Sequence, residues 1–428
     1  MKTVSEMKAL LEGKKLSESF AKVYTENAFD AQYERFLGVL QSFEKRFSKG
    51  ADREVSLFSA PGRTEICGNH TDHNHGLVLA ASISLDAIAV ASKNDDNVIR
   101  IKSEGYPQDE VDCADLEAKE KEIGRSQGIV RGIAARFKEL GYKVGGFDAT
   151  TASQVLSGSG LSSSAAFEVL VCTMLNHLYN DGKVDPVEIA KISQWSENVY
   201  FGKPCGLLDQ MACSVGGFVS IDFEDTSKPV INKIDFDFAA SGHSLCIVDT
   251  KGSHSDLTDD YAAVRSEMEN VAGFFGKKVL RECSKEDVMA NAGKIASKLN
   301  ERAVIRALHY YGENERVLKQ AKALSENDFE TFKSLIIESG RSSYMYNQNV
   351  YTCKKPTNQP LSLALAVSEQ ILSGEGAWRV HGGGFAGTIQ AFVPDAAVEK
   401  YTSAMKSTFG DDSCYVLSIR PFGGVSLA

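Results

Sequence analysis

An α+β fold in two domains is predicted for this chain from three observations. Its 428 residues exceed what one ordinary hydrophobic core holds. Short β-prone runs begin at Val55 after a helix-patterned start, and between Phe147 and Tyr179 a strand, a glycine-serine loop and a helix follow in that order. The second half then interleaves helical stretches with strand-like runs, with no internal repeat and no low-complexity tract.

Composition narrows the function classes. A hydrophobic content of 43% and a charged content of 24% are those of a soluble globular protein. The 47 basic and 57 acidic residues leave a net charge of -10, which repels a nucleic-acid backbone or an anionic membrane surface. Neither partner is expected, and a local pocket for a small anion stays open. The nine cysteines are scattered singly with no Cys-x-x-Cys spacing, so neither a zinc site nor a disulfide framework is suggested and a reducing compartment is expected. Met1 to Lys15 is amphipathic rather than a signal-peptide core, and the apolar run Leu77 to Ala91, interrupted by Asp86, suits buried strand better than a spanning helix. A cytoplasmic protein is expected. The sequence leaves monomer and homodimer both open.

Taken in order, residues 1 to about 50 read as helices, with Phe20, Val23 and Tyr24, then Tyr33, Phe36, Leu37 and Leu40 at helical spacing. Strands are expected at Val78 to Ile83, Ala87 to Ala91 and Val98 to Ile101, separated by polar turns. Gly128 to Leu140 reads as a helix, Phe147 to Val155 as a strand, and the loop after it opens a helix through about Tyr179. A helix over Pro186 to Phe201 leads into Gly202-Lys203-Pro204-Cys205-Gly206, a turn delivering Leu207 to Gln210. Gly216 to Asp222 and Ser244 to Asp249 read as strands, with a soft boundary between them that divides the chain into 1-230 and 231-428. Beyond it come helices near 258 to 273, 285 to 293, 300 to 322, 327 to 340 and 361 to 373, and strands at Ala377 to His381, Thr388 to Val393 and Cys414 to Ile419. Trp195 and Trp378 read as packing residues.

Three segments carry chemistry. Gly158-Ser159-Gly160-Leu161-Ser162-Ser163-Ser164-Ala165-Ala166 runs into an apolar helix, and small residues at a helix start let backbone N–H groups and the positive dipole end approach an anion. No lysine follows its last glycine, which excludes a Walker-type loop. Taken alone, such a segment is more often a turn with a helix cap than a nucleotide site. The stretch Ser59 to Gly76 crowds together Arg63, Glu65, Asp72, His70, His73, His75, Asn69 and Asn74. The spacing of the three histidines matches no usual zinc helix, whereas Asn, Asp and His offer donors and acceptors for a polyol beside the permanent cation of Arg63. The third segment is Gly382-Gly383-Gly384-Phe385-Ala386-Gly387, between two predicted strands, where backbone without side chains can approach a site; a glycine-rich hairpin is the plain alternative.

With the stretch Gly202 to Gln210, these segments in this order resemble the galactokinases of the GHMP small-molecule kinase superfamily, from about residue 50 to the end. The resemblance implies a GHMP two-domain fold: an N-terminal mixed sheet with helices, a ferredoxin-like C-terminal α+β domain, and the active site in the cleft between them. It implies ATP and Mg2+, and transfer of phosphate to the anomeric hydroxyl of galactose without a phosphoenzyme. By it Asp209 is the general base, with Arg63 stabilising the carboxylate and the charge that moves. Gly158, Ser159, Gly160, Leu161, Ser162, Ser163 and Ser164 hold the nucleotide, and Ser164 and Glu197 hold magnesium. Asn69, His70, Thr71, Asp72 and Gly206 meet the sugar, and Tyr261 closes the pocket. From the residues alone, Asp209 reads equally as a helix cap or surface acid, Glu197 as a solvated helix face, and Tyr261 as packing.

The chain departs from the family pattern at several positions. Glu65 and Asn69 stand where many members have Asn and Glu, His73 replaces a common Tyr, Leu156 a Pro and Ala386 a Gly. Asn69 can donate and accept but brings no charge, so the preference among hexoses is the open point, and a kinase of N-acetylgalactosamine or arabinose is the neighbouring reading. A non-catalytic ATP and galactose sensor is the rival from another class, against which the retained serines and Asp209 speak.

Overall fold

The computed structural model describes residues 1–48, 50–155, 160–252 and 257–428. The first half is built on strands β1 (Lys2–Thr3), β2 (Glu54–Cys67), β3 (Leu77–Lys93), β4 (Val98–Ser103), β5 (Gln108–Asp112), β6 (Phe147–Ser153), β7 (Phe218–Asp222) and β8 (Val230–Ile234). The second has β9 (His243–Asp249), β10 (Ala377–Val380), β11 (Thr388–Pro394) and β12 (Cys414–Leu417), and β13 (Val425–Ser426) closes the chain. Among the described residues nine strands form one sheet, in the order β1-β2-β3-β6-β4-β5, with β13 on β2, β7 on β3 and β8 on β7. The β4–β6 pair is parallel and the others antiparallel, so the sheet is mixed. The second sheet, β10-β11-β9-β12, is antiparallel throughout. This is the expected two-domain α+β architecture.

The two strands expected between Val78 and Ala91 are one. β3 runs through Asp86, which is fully buried rather than turned to solvent. Its carboxylate accepts from Tyr24 at 2.5 Å, from Arg35 at 2.9 Å and from Ser59, with Arg420 at 3.4 Å. A polar residue in an apolar run signals a break only when nothing pays its desolvation, and here two guanidiniums and two hydroxyls do. The helix expected at 285 to 293 is likewise two short ones, Lys285–Ala290 and Ala292–Lys298.

Strand alternation decides which face meets which helices. Val55 and Leu57 of β2, with Ile88 and Val90 of β3, pack against α1 (Val4–Glu12), α2 (Ser17–Phe20) and α3 (Phe29–Phe43) through Met7, Phe20, Phe36 and Phe43. Phe58 and Ala60, with Ala87, Ala89 and Ala91, face the other way onto α4 (Ser126–Glu139), α5 (Ser163–Tyr179) and α6 (Pro186–Ser196). α5 is apolar almost all round and buried from Ala165 to Met174 except for Phe167, as a central helix must be. α7 (Leu208–Val215) follows, and the second sheet carries α8 (Thr258–Phe274), α9 (Lys285–Ala290), α10 (Ala292–Lys298), α11 (Glu301–Ser325), α12 (Phe329–Ser342), α13 (Pro360–Leu372) and α14 (Val398–Phe409).

The halves are sewn together. Phe218 of β7 lies 6.1 Å, ring to ring, from Phe332 of α12, which lies 5.2 Å from Phe392 of β11. The chain end returns to the first sheet, where Leu427 N–H donates to Leu57 at 2.8 Å. No helix among the described residues is long and apolar enough to cross a membrane.

Candidate active site

Arg63 stands on β2 where elements of both sheets meet. Its Nε donates to Asp209 Oδ1 at 2.7 Å, its Nη2 lies 2.7 Å from the same oxygen, and its Nη1 donates to the Gly160 carbonyl. Burial opposes the guanidinium charge, but Asp209 outweighs it and the Arg63 pKa is raised. The other oxygen of Asp209 accepts from the Ser162 hydroxyl. Residues from two distant stretches therefore converge on the Asp209 carboxylate, which still keeps 35% of its side chain exposed.

The loop reaches this point because it lies directly on β2. Arg63 N–H donates to the Leu161 carbonyl at 3.1 Å, and a Cβ on Gly62 would stand only 2.8 Å from that oxygen, so the close approach requires glycine. Ser162 occupies the N-cap position of α5 with φ 58, but its hydroxyl caps nothing in the helix and is given to Asp209 instead. Ser163 and Ser164 form the first turn of α5. Gly158 and Ser159 lie outside the described residues.

Asp209 is the second residue of α7. The stretch before it folds back on the end of the preceding helical turn, with Cys205 N–H donating to Asn198 Oδ1 at 2.7 Å and Lys203 N–H to the Glu197 carbonyl at 3.1 Å. Glu197 itself is 2% exposed, far from the solvated helix face that its sequence position allowed. Lys203 Nζ lies 3.2 Å from Oε1, and Gln210 Nε2 donates to Oε2 at 2.8 Å and to Glu168 Oε2 at 3.0 Å. Glu168 is fully buried, and desolvation together with the Glu197 charge pushes its pKa well up. Glu168 Oε1 and Gln210 Oε1 are buried without a hydrogen-bond partner among the described residues. No hydrogen bond among the described residues joins Ser164 to Glu197.

The segment from Asn69 to Asp72 closes the opposite side. His70 Nε2 donates to the Gly383 carbonyl at 2.8 Å, and Tyr261 donates to the Gly384 carbonyl at 2.8 Å with its ring edge-on to Phe385. The glycine run thus presents main-chain carbonyls to both. Gly384, at φ 78, has no room for a Cβ against the Asn349 carbonyl. Asp72 Oδ2 would lie 3.2 Å from a Cβ on Gly206, and burial, reinforced by the charge of Asp209, raises the Asp72 pKa. Thr71 is buried and its hydroxyl serves the loop, 2.8 Å from the Gly68 carbonyl and 2.7 Å from that of Leu77. Asn69 is also buried, with both amide hydrogens on protein acceptors, Glu65 Oε1 at 2.9 Å and the Gly382 carbonyl at 2.6 Å.

Four residues here were not anticipated. Glu168 lies four positions after Ser164 on α5, the same-face spacing, and Gln210 follows Asp209, so both had a local signal. His381 and Asn349 had none. His381 Nε2 accepts from Glu65 N–H at 3.3 Å and is therefore unprotonated, so Nδ1–H donates to Thr388 at 2.9 Å; burial, then the nearby arginines Arg63 and Arg379, hold its pKa well below the usual histidine range.

Comparison with known proteins bears on the same segments. The family model described as the GHMP kinases N terminal domain matches residues 128–217, and that described as the galactokinase galactose-binding signature matches residues 41–93. A galactokinase of Streptomyces coelicolor is 31% identical over 84% of this chain and 90% of its own length. One from Glaesserella parasuis is 31% identical over 83% and 89%. The crystal structure of Lactococcus lactis galactokinase complexed with galactose superposes with a TM-score of 0.72 at 25% identity, covering 90% of this chain and 98% of that one.

Proposed function

Because this chain belongs to the galactokinase family and is an ATP-dependent kinase of galactose, we propose that Asp209 is the base of the transfer and Arg63 its electrostatic partner. The products are α-D-galactose 1-phosphate and ADP, the opening step of galactose catabolism. A sugar hydroxyl is a poor nucleophile at neutral pH, and a carboxylate within hydrogen-bond reach accepts its proton as the new phosphorus–oxygen bond forms. The observation that carries this reading is the 2.7 Å pair of Arg63 and Asp209 beside the Ser162 hydroxyl. It ties the proposed base to the loop proposed to grip the donor.

In this reading the main chain of 160–164 and the start of α5 hold the donor phosphates. His70, Asp72 and the backbone at Gly206 face the acceptor, and Tyr261 seats the glycine run against it. Arg63 stays charged through the cycle, orienting the Asp209 side chain before transfer and offsetting charge that moves onto the donor. Ser164 and Glu197 would hold magnesium. Glu168 Oε1 and Gln210 Oε1, buried beside Glu197 with no hydrogen-bond partner among the described residues, are hard oxygen donors of the kind such a cation takes, while Lys203 Nζ and Gln210 Nε2 engage the Glu197 oxygens here. A magnesium ion held there would supply positive charge to offset that of the donor phosphates, which no Walker lysine serves.

The test is a coupled assay for ADP release with galactose, N-acetylgalactosamine, arabinose and glucose. Turnover fastest with galactose is expected. Absence of turnover with every sugar, while ATP and galactose still bind, would replace the kinase with a sensor.

A further inference from the structure

We propose that Glu65, rather than Asn69, supplies the side chain that reads a sugar hydroxyl in this chain, an inference that rests on the galactose-kinase reading above. Asn69 has nothing left to give. It is 1% exposed, its two amide hydrogens go to Glu65 Oε1 and the Gly382 carbonyl, and its oxygen accepts from Asn349 Nδ2 at 2.6 Å, with Asn347 Nδ2 at 3.5 Å. An asparagine side chain has two donors and two lone pairs, so this inventory is full. Asn69 is a clamp between the sugar-signature loop, the glycine run and Asn349.

Glu65 is the opposite case. It stands two residues after Arg63 on β2 in unbroken register, Arg63 opposite Ser82 and Glu65 opposite Ala80, so both project from the same face of the strand. Its charge adds to that of Asp209 in raising the Arg63 pKa. Its Oε1 is fixed by Asn69, whereas Oε2 has no hydrogen-bond partner among the described residues, and the side chain keeps 13% of its surface exposed. Buried Arg379, with Nη2 3.9 Å from Oε1, supplies a compensating charge from behind. A carboxylate pinned by one oxygen and open at the other accepts from a hydroxyl in a single geometry. With Glu at 65 and Asn at 69, the pair is joined by the Asn69 amide and its acceptor charge stands at 65.

The experiment compares Glu65→Gln with the unaltered enzyme on galactose and its 2-, 3-, 4- and 6-deoxy analogues, with calorimetric binding of each sugar alongside. Glutamine can keep the bond from Asn69 and turns only the open oxygen into a donor. The expected result is a KM for galactose raised tenfold or more, an unchanged KM for ATP, and loss of the discrimination against one of the deoxy sugars while that analogue itself is handled as before. Asn69→Ala is the second variant, expected to lower the melting temperature while leaving the order of preference among the deoxy sugars intact. An unchanged galactose KM in Glu65→Gln, an equal loss with every sugar, or loss of discrimination in Asn69→Ala instead would overturn the proposal while galactose kinase activity stands. No turnover or binding of galactose by the unaltered enzyme would overturn the parent reading and this one with it.

Discussion

Ser162 donates its hydroxyl to Asp209, although its position at the start of α5 is that of a helix cap. The bond joins the glycine-serine loop to α7 across 47 residues of sequence, and Arg63 closes the triangle from β2 by holding Asp209 Oδ1 at 2.7 Å. A residue that could have satisfied the helix is spent on the carboxylate instead. That leaves the first turn of α5 without a side-chain cap.

Replacing the base tests the centre of this arrangement. Asp209→Asn is expected to bind ATP and galactose with little change but to turn over roughly a hundredfold more slowly or worse, as when a positioned general base is removed. Single-turnover rates and calorimetric binding check it, and near-normal turnover would contradict the assignment.

The Ser162 hydroxyl can be removed in two ways that differ in backbone cost. Its φ of 58 is left-handed, which costs a non-glycine residue about 1 kcal/mol. Ser162→Gly is therefore expected to match or exceed the original melting temperature, and Ser162→Ala to fall slightly below it. Both should lose roughly tenfold in kcat through the misplaced carboxylate, read by steady-state kinetics beside thermal melts.

Gln210 holds Glu168 and Glu197 apart with one amide group, at 3.0 Å and 2.8 Å. In Gln210→Leu two buried carboxyl groups lose that donor, with an expected stability loss of about 2 kcal/mol. The Mg2+ concentration for half-maximal rate should rise tenfold or more, and Mn2+ binding in the presence of ADP, followed by paramagnetic resonance, should weaken in parallel.

Acid should destabilise the protein before its carboxylates protonate. His309 is fully buried between Ser342 and the Asn69 carbonyl, and burial pushes its pKa down to about 4, while that of His73 falls to about 3. Between about pH 6.5 and 4 the unfolded chain takes up protons that the folded chain refuses, so stability falls as pH falls, by up to roughly 3 kcal/mol for His309 alone. Raised Asp72 and Glu168 act in the opposite sense, since the fold prefers their protonated forms. Melting temperature should decline from pH 7 to 4.5, and His309→Gln, less stable at neutral pH, should show a shallower decline.

What was legible in the sequence was local. The α5 periodicity, the glycine-serine loop before it and the polar crowd from Arg63 to Asp72 each announce themselves within one short window. The bond between Arg63 and Asp209 spans 146 residues, and no spacing rule foresees it; family resemblance supplied that pairing. Asp86 misled because its partners Tyr24, Arg35 and Arg420 come from both ends of the chain. The Asn69 contacts were equally out of reach of spacing rules, since Asn349 and the Gly382 carbonyl lie 280 and 313 residues away.

The phenylalanines that bridge the sheets set how the molecule comes apart. Phe218, Phe332 and Phe392 belong to one continuous apolar core that includes strands of both halves, so exposing either half strips the other of buried surface. Heat should then find one cooperative unit, with a single calorimetric endotherm, where the division into two sheets would suggest two.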